Sequence, residues 1–97
     1  TIAPIQIPEG MEGTALSVVK EVLLEMDGEI QNESDSYLAA TFTSGFFRFI
    51  DDVEIRLDTE ASLLHVRSAS RAGYSDMGVN QIRVEEIRSL FEKKIQK

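Results

Sequence analysis

Arginines, acids and small polar residues are concentrated in two short stretches of the sequence, 48–54 and 67–83. The candidate polar cluster comprises Arg48, Asp51, Asp52, Arg67, Ser68, Ser70, Arg71, Ser75, Asp76, Asn80 and Arg83. A guanidinium binds carboxylates and phosphates through parallel N–H···O hydrogen bonds. Because the cluster holds both arginines and acids, it could bind a small anion, or it could stabilise the fold by pairing its own charges.

The balance of opposite charges in these stretches favours internal pairing. The four arginines Arg48, Arg67, Arg71 and Arg83 are matched in number by the four acids Asp51, Asp52, Glu54 and Asp76. This match leaves little spare positive charge for an anion. We therefore predict that the cluster is mainly structural, with a small-anion site as the alternative.

The residue types give little support for catalysis. Asp51 and Asp52 are adjacent in a predicted strand, so their side chains point to opposite faces, which is unfavourable for a carboxylate dyad. His65 is the only histidine and the chain has no cysteine, so we predict no metal site. The serines of the cluster have no histidine on their predicted face, which disfavours a Ser-His-Asp triad. We predict no catalytic residue and no cofactor, and a hydrolase-like enzyme is the least favoured function.

Length and net charge limit the remaining functions. The chain has 97 residues and a net charge of −7, all of it arising in residues 1–47, which hold eight acids and one base. We predict one domain over 1–97, with 1–8 as an extended arm. An acidic chain repels a phosphate backbone, so nucleic acid is not an expected partner. No apolar run is long enough for a transmembrane segment.

The spacing of apolar residues predicts two helices and four strands. The first helix covers 14–27, with Gly28 as its C-terminal stop. The strands cover 29–33, 37–44, 46–58 and 63–71. Ser75 or Asp76 caps a last helix that runs to about residue 96. The order α-β-β-β-β-α with short links predicts an α+β fold, an antiparallel sheet of about four strands with both helices packed on one face.

The turn at 59–62 fixes the pairing of the last two strands. If it places Asp58 opposite Leu63, then Leu57 lies opposite Leu64, Ile55 opposite Val66 and Val53 opposite Ser68. The same pairing places Asp51 opposite Ser70 on the helix-covered face. On the open face, it places Glu54 opposite Arg67 and Arg56 opposite His65.

The last helix has polar residues among its apolar ones. We predict that its apolar arc consists of Val79, Ile82, Ile87, Leu90 and Phe91. Asn80 and Arg83 point into this arc, toward the part of the sheet that carries Asp51. A buried guanidinium without a partner is very costly, so we expect an Arg83–Asp51 pair. Asn80 is expected to bond to Ser70 or to the backbone at the strand end.

Two consecutive aromatic residues, Phe46 and Phe47, cannot both face the core. One of them, or the open face of the sheet, is therefore predicted to contact another chain.

The order of these residues also resembles a known family. The pattern Phe49-x-Asp51-Asp52-Val53-Glu54, then Arg67-Ser68-x-Ser70-Arg71-x-Gly73-x-Ser75-Asp76-x-Gly78-x-Asn80, then Arg83, is similar to the bacterial and plastid domain of unknown function 1499 family. The resemblance covers nearly the whole chain. It implies no activity, because the family has none established. Many members resemble exported proteins or lipoproteins, with a cysteine-containing segment before an Ile-x-Pro arm that Ile2-Ala3-Pro4-Ile5 resembles. The resemblance implies a periplasmic or envelope location, with the cytoplasm as the alternative.

Taken together, the sequence favours a non-enzymatic interaction or ligand-binding domain of unknown specificity. Its expected partner is an unidentified protein or a small ligand. The alternatives are a domain that binds a small anion through the arginine cluster and, last, a hydrolase-like enzyme.

Overall fold

The computed structural model of the chain describes residues 2–45, 48–71 and 77–96. The elements in chain order are β1 Ile5–Gln6, α1 Glu12–Glu25, β2 Glu29–Ser34, β3 Tyr37–Ser44, β4 Phe49–Asp58, β5 Leu63–Ser70 and α2 Met77–Ile95. The predicted α+β fold is confirmed. The arm contributes β1, so the antiparallel sheet has five strands. None of the helices in the described ranges is long and apolar enough to cross a membrane.

The sheet has the order β1-β5-β4-β3-β2, and every neighbouring pair is antiparallel. The pairing predicted for β4 and β5 is confirmed at every position, including Asp51 opposite Ser70 and Glu54 opposite Arg67. The turn at 59–62 sets this register. Asp58 Oδ1 accepts the Ala61 N–H at 3.1 Å, and Ser62 adopts a left-handed φ of 54°. A short polar turn of this kind fixes which residues lie opposite each other.

The core lies between one face of the sheet and the two helices. Helix α1 buries residues at helical spacing, and the strands bury alternate residues. The buried apolar residues include Ile5, Ala15, Val19, Val22, Leu23, Leu38, Ala40, Phe42, Val53, Ile55, Leu64, Val84, Ile87, Phe91 and Ile95. Both helices pack on the same face, as predicted, and the opposite face of the sheet carries charged and polar residues together with outward-facing alanines.

The apolar arc predicted for α2 is wrong at its start. Val79 and Ile82 are 41% and 69% exposed, and the buried line of α2 is instead Asn80, Val84, Ile87, Phe91 and Ile95. These buried residues recur every three or four positions, as one helix face requires. Ile82 lies two residues before Val84 and therefore about 160° around the helix from it. The predicted arc rests on residue type, whereas burial on α2 depends on the angular position of each residue around the helix axis.

The end of α1 also differs from the prediction. Asp27, not Gly28, has the left-handed φ, 68°, and the Gly28 N–H donates to the Leu23 carbonyl at 2.8 Å. A Cβ on Gly28 would lie 2.8 Å from Cζ of the Phe42 ring. Glycine is needed at 28 because β3 approaches so closely, rather than because of its backbone angle.

Candidate binding site

Most of the described members of the predicted cluster lie at one end of the sheet. Strand β4 begins there, β5 ends there, and α2 begins above them. Because side chains alternate along a strand, the sheet separates the cluster into two groups. One group lies beneath α2, and the other lies on the open face.

The group beneath α2 contains four hydrogen-bonded side chains, Asp51, Ser68, Asn80 and Arg83, termed here the buried polar network. Arg83 Nη1 donates to Asp51 Oδ2 at 2.7 Å, and the two side chains are only 10% and 7% exposed. Arg83 Nη1 also lies 3.3 Å from Asn80 Oδ1, which accepts the Ser68 hydroxyl at 2.5 Å. Throughout the described part of the chain, no buried side-chain polar atom lacks a hydrogen bond.

The predicted Arg83–Asp51 pair is therefore present. Asn80 Oδ1 accepts the Ser68 hydroxyl, and Ser68 lies opposite Val53 in the sheet. The expected bond from Asn80 to Ser70 or to the strand-end backbone stays a prediction.

Arg83 makes one further contact, with an aromatic ring. Its guanidinium carbon lies 4.8 Å from the centroid of Phe42, which is opposite Asp51 in the neighbouring strand. A cation above a ring face is attracted by the ring quadrupole. The charge of Arg83 is thus engaged by a carboxylate, an amide and a ring, all within the fold.

The open-face group consists of two ion pairs. Arg71 donates from Nε and Nη2 to the two carboxylate oxygens of Asp52, at 2.8 and 2.9 Å. This fork holds the pKa of Asp52 below its usual value and raises the pKa of Arg71. Arg67 donates to Glu54 at 3.1 Å across the predicted register. The Tyr37 hydroxyl donates to the other oxygen of Glu54, and this bond raises the pKa of Tyr37.

A shallow hollow lies between these ion pairs. It has a volume of about 270 Å³ and is lined mainly by Ala39, Asp52, Glu54, Arg67 and Ala69. The hollow lies where two alanines face outward on the strands that flank β4, Ala39 on β3 and Ala69 on β5. Each arginine at its edge already holds an acid, so the hollow offers little attraction for a free anion.

Among the described members of the predicted cluster, Arg48 stands apart from these two groups. Arg48 lies in the turn between β3 and β4, with a φ of 56° and an exposed side chain. No acid of the described segments pairs with it, so the expected matching of four arginines is observed for three. Ser75 and Asp76, the predicted caps, lie outside the described residues, as do Phe46 and Phe47 of the predicted contact surface.

The described segments contain no cluster of metal-ligating side chains. Over residues 2–45, 48–71 and 77–96, no group of three His, Asp or Glu side chains could hold a metal ion. His65 lies on the open face, with Nε2 3.3 Å from Asp58 Oδ2. Asp58 also accepts the Ala61 N–H, and this bond holds its pKa below the usual value.

The sequence did not predict a groove beside the buried polar network, here termed the α2 groove. It has a volume of about 350 Å³ and is lined by Met26, Asp27, Phe42, Thr43, Val79, Ile82, Arg83 and Glu86. The end of α1, the end of β3 and the first half of α2 form its walls. The sequence feature that indicates the α2 groove is Ile82, an aliphatic residue on the side of α2 opposite its buried residues.

The chain matches a known protein family over almost all of its length. A family model described as protein of unknown function (DUF1499) matches residues 1–91. The chain belongs to this family, which confirms the resemblance seen in the sequence. None of the curated proteins matches the chain. Because the family description names no activity, the function has to be argued from the geometry.

Proposed function

We propose that this chain is a non-enzymatic interaction domain that binds a partner through the α2 groove, and that the buried polar network is structural. The observation that carries the proposal is Ile82, 69% exposed on a well-packed helix and lining a concave surface together with Met26 and Phe42. Single exposed aliphatic residues are common, but one that forms the wall of a groove with a second exposed one, Val79, is typical of a contact surface.

The buried polar network gives the groove a fixed wall. Arg83 belongs to both, because it lines the groove while its guanidinium is held by Asp51. The pair ties the first half of α2 to β4, and Phe42 forms the floor between them. A surface held in one arrangement before binding loses less conformational entropy when a partner docks.

The ion pairs and hydrogen bonds of the polar cluster disfavour the two alternative functions, an anion-binding domain and a hydrolase. An anion at Arg83 would leave the buried Asp51 unpaired, and an anion at Arg67 or Arg71 would compete with a carboxylate that is already bound. A hydrolase needs a nucleophile with a base in hydrogen-bond reach. Ser68 instead donates to the amide oxygen of Asn80, which has no basic character.

The proposal is tested by selecting ligands from a random 12-residue peptide library displayed on phage. The folded wild-type chain is the bait, and Ile82→Gln is the comparison. We expect selected peptides to bind the wild type and to lose at least about tenfold in affinity on Ile82→Gln, as expected for a central apolar contact.

Leu24→Gln is the matched control, because Leu24 is also an exposed aliphatic residue of a helix but does not line the groove. It should leave binding unchanged. Selection of no peptide whose binding depends on Ile82 would contradict the proposed function.

A further inference from the structure

Two acids stand at the rim of the α2 groove. Asp27 and Glu86 both line it and both are exposed. Neither carboxylate has a hydrogen bond or ion pair with any residue that the structure describes. Most other acids of the helices are engaged, for example Glu25 by Lys94 and Glu85 by Arg88, and Glu92, outside the groove, is an exception. The α2 groove therefore has two acids at its rim that no base of the described residues neutralises.

The positions of these acids relative to the apolar wall are defined by the backbone. Glu86 follows Ile82 by four residues, so the two side chains are neighbours on one face of α2. Asp27 is held on the other side by its left-handed φ and by its N–H, which donates to the Leu24 carbonyl at 3.1 Å. A ligand that covers Ile82 with an apolar side chain would bring its flanking groups near both acids.

The groove carries no positive charge to offset them. Of its described lining residues only Arg83 is basic, and Asp51 neutralises it at 2.7 Å. Asp27 and Glu86 thus leave the groove with a negative field, in a chain whose net charge is −7. Such a field attracts cationic partners and raises their rate of association.

The negative charge of the α2 groove favours some possible ligands over others. A second copy of the chain would bring its own Asp27 and Glu86 against the same acids, and like charges across an interface are costly. An acidic peptide or an anionic lipid surface meets the same repulsion. A basic segment with an apolar anchor matches both the walls and the rim.

We infer that the α2 groove binds a peptide segment of another protein in which an aliphatic or aromatic anchor is flanked by lysine or arginine. The inference rests on the proposed function and adds the chemistry of the partner. The anchor covers Ile82 and Phe42, and the flanking bases pair with Glu86 and Asp27.

The peptides selected from the random 12-residue library give the first test. We expect the peptides that depend on Ile82 to carry Lys or Arg within three positions of an apolar residue, more often than the unselected library does. A synthetic form of the most enriched peptide, with its bases replaced by glutamine, should bind several-fold more weakly. Raising the salt from 50 to 500 mM should also weaken binding of the basic form, because it screens exposed charges.

Charge reversal in the protein gives the second test. The double variant D27K/E86K should weaken binding of the basic peptide by roughly threefold to tenfold, in line with exposed ion pairs. Glu92→Lys changes the charge of α2 outside the groove and should have a much smaller effect. Circular dichroism confirms that each variant is folded before its affinity is compared.

The possible outcomes distinguish a failure of this inference from a failure of the proposed function. Selected peptides that depend on Ile82 but are neutral or acidic would overturn this inference and leave the proposed function standing. Dimerisation of the chain that is lost on Ile82→Gln would also overturn it, since the occupant would then be a second copy. No binding that depends on Ile82 would overturn both.

Discussion

The guanidinium of Arg83 on α2 lies 2.7 Å from the carboxylate of Asp51 on β4, and the two side chains are 10% and 7% exposed. This pair joins the first half of the last helix to the sheet at a site from which most water is excluded. Asn80 Oδ1 extends the network by accepting from both Arg83 Nη1 and the Ser68 hydroxyl. A buried pair of this kind contributes to a unique arrangement of helix on sheet more than to stability as such.

Removal of one member should be strongly destabilising. We expect Arg83→Met or Asp51→Asn to lower the free energy of unfolding by about 3–5 kcal/mol, because each leaves the other charge buried and unpaired. The double variant should lose less than the sum of the two single losses. Chemical denaturation measures all three.

An exposed ion pair provides the control for this prediction. Arg67 pairs with Glu54 but is 77% exposed, so Arg67→Met should cost about 0–1 kcal/mol. Additive losses for Arg83 and Asp51, or single losses no larger than that of Arg67→Met, would contradict a coupled buried pair.

The sequence was sufficient to predict this pair because two independent periodicities converge on it. The short turn at 59–62 gives the strand register, and alternation then places Asp51 on the covered face. Position within the last helix places Arg83 toward the same face. Both arguments depend on local geometry, which a single sequence carries.

The α2 groove could not be predicted in the same way. Val79 and Ile82 were assigned to the core because they are aliphatic, yet the phase of α2 is set by Val84, Ile87 and Phe91 packing against α1 and the sheet. Which residues of a helix are exposed depends on the rotation of the helix about its own axis. Tertiary packing determines that rotation. The sequence alone gives the period of a helix more reliably than its phase.

The ion pair between Arg71 and Asp52 should have a measurable pH dependence. The hydrogen bonds from Arg71 lower the pKa of Asp52 in the folded state, so the pair contributes stability above the unfolded pKa of about 3.9. That contribution is lost as the pH falls through the folded value. Carboxyl NMR titration should show a higher pKa of Asp52 in Arg71→Gln than in the wild type.

The stability difference between wild type and Arg71→Gln should accordingly be largest near neutral pH and shrink below about pH 4. Asp58 offers an internal reference, because the Ala61 N–H lowers its pKa independently of Arg71. An unchanged pKa of Asp52, or an equal change at Asp58, would contradict a specific effect of the ion pair.

Inorganic phosphate should not bind the arginine cluster. Arg67, Arg71 and Arg83 each already hold a carboxylate at 3.1 Å or less, and at Arg83 a phosphate would also leave the buried Asp51 unpaired. Titration with phosphate at constant ionic strength should leave their Nε–H resonances in place. Saturable shifts at two or more of these arginines would favour the anion-binding alternative.

Gly28 should be intolerant of a side chain although its backbone angle is unremarkable. A Cβ there would lie 2.8 Å from the Phe42 ring and 2.9 Å from the Leu23 carbonyl. Gly28→Ala should therefore cost about 1–3 kcal/mol through forced displacement of β3 or α1. Gly13→Ala, in a helix position with nothing within 4 Å, should instead stabilise by about 0.5–1 kcal/mol. Thermal unfolding of the two variants tests this contrast, and equal effects would refute the close approach.

Two isoleucines of α2 should respond oppositely to truncation. Ile87 is completely buried, so Ile87→Ala should lower the free energy of unfolding by about 2–5 kcal/mol. Ile82 is 69% exposed in the α2 groove, so Ile82→Ala should change stability by no more than about 0.5 kcal/mol. Denaturation of the isolated chain measures both. A loss for Ile82→Ala close to that of Ile87→Ala would place Ile82 in the core, and the groove would then have no apolar wall to offer a partner. A small loss would show that the fold does not need Ile82, as a residue free to contact a partner requires.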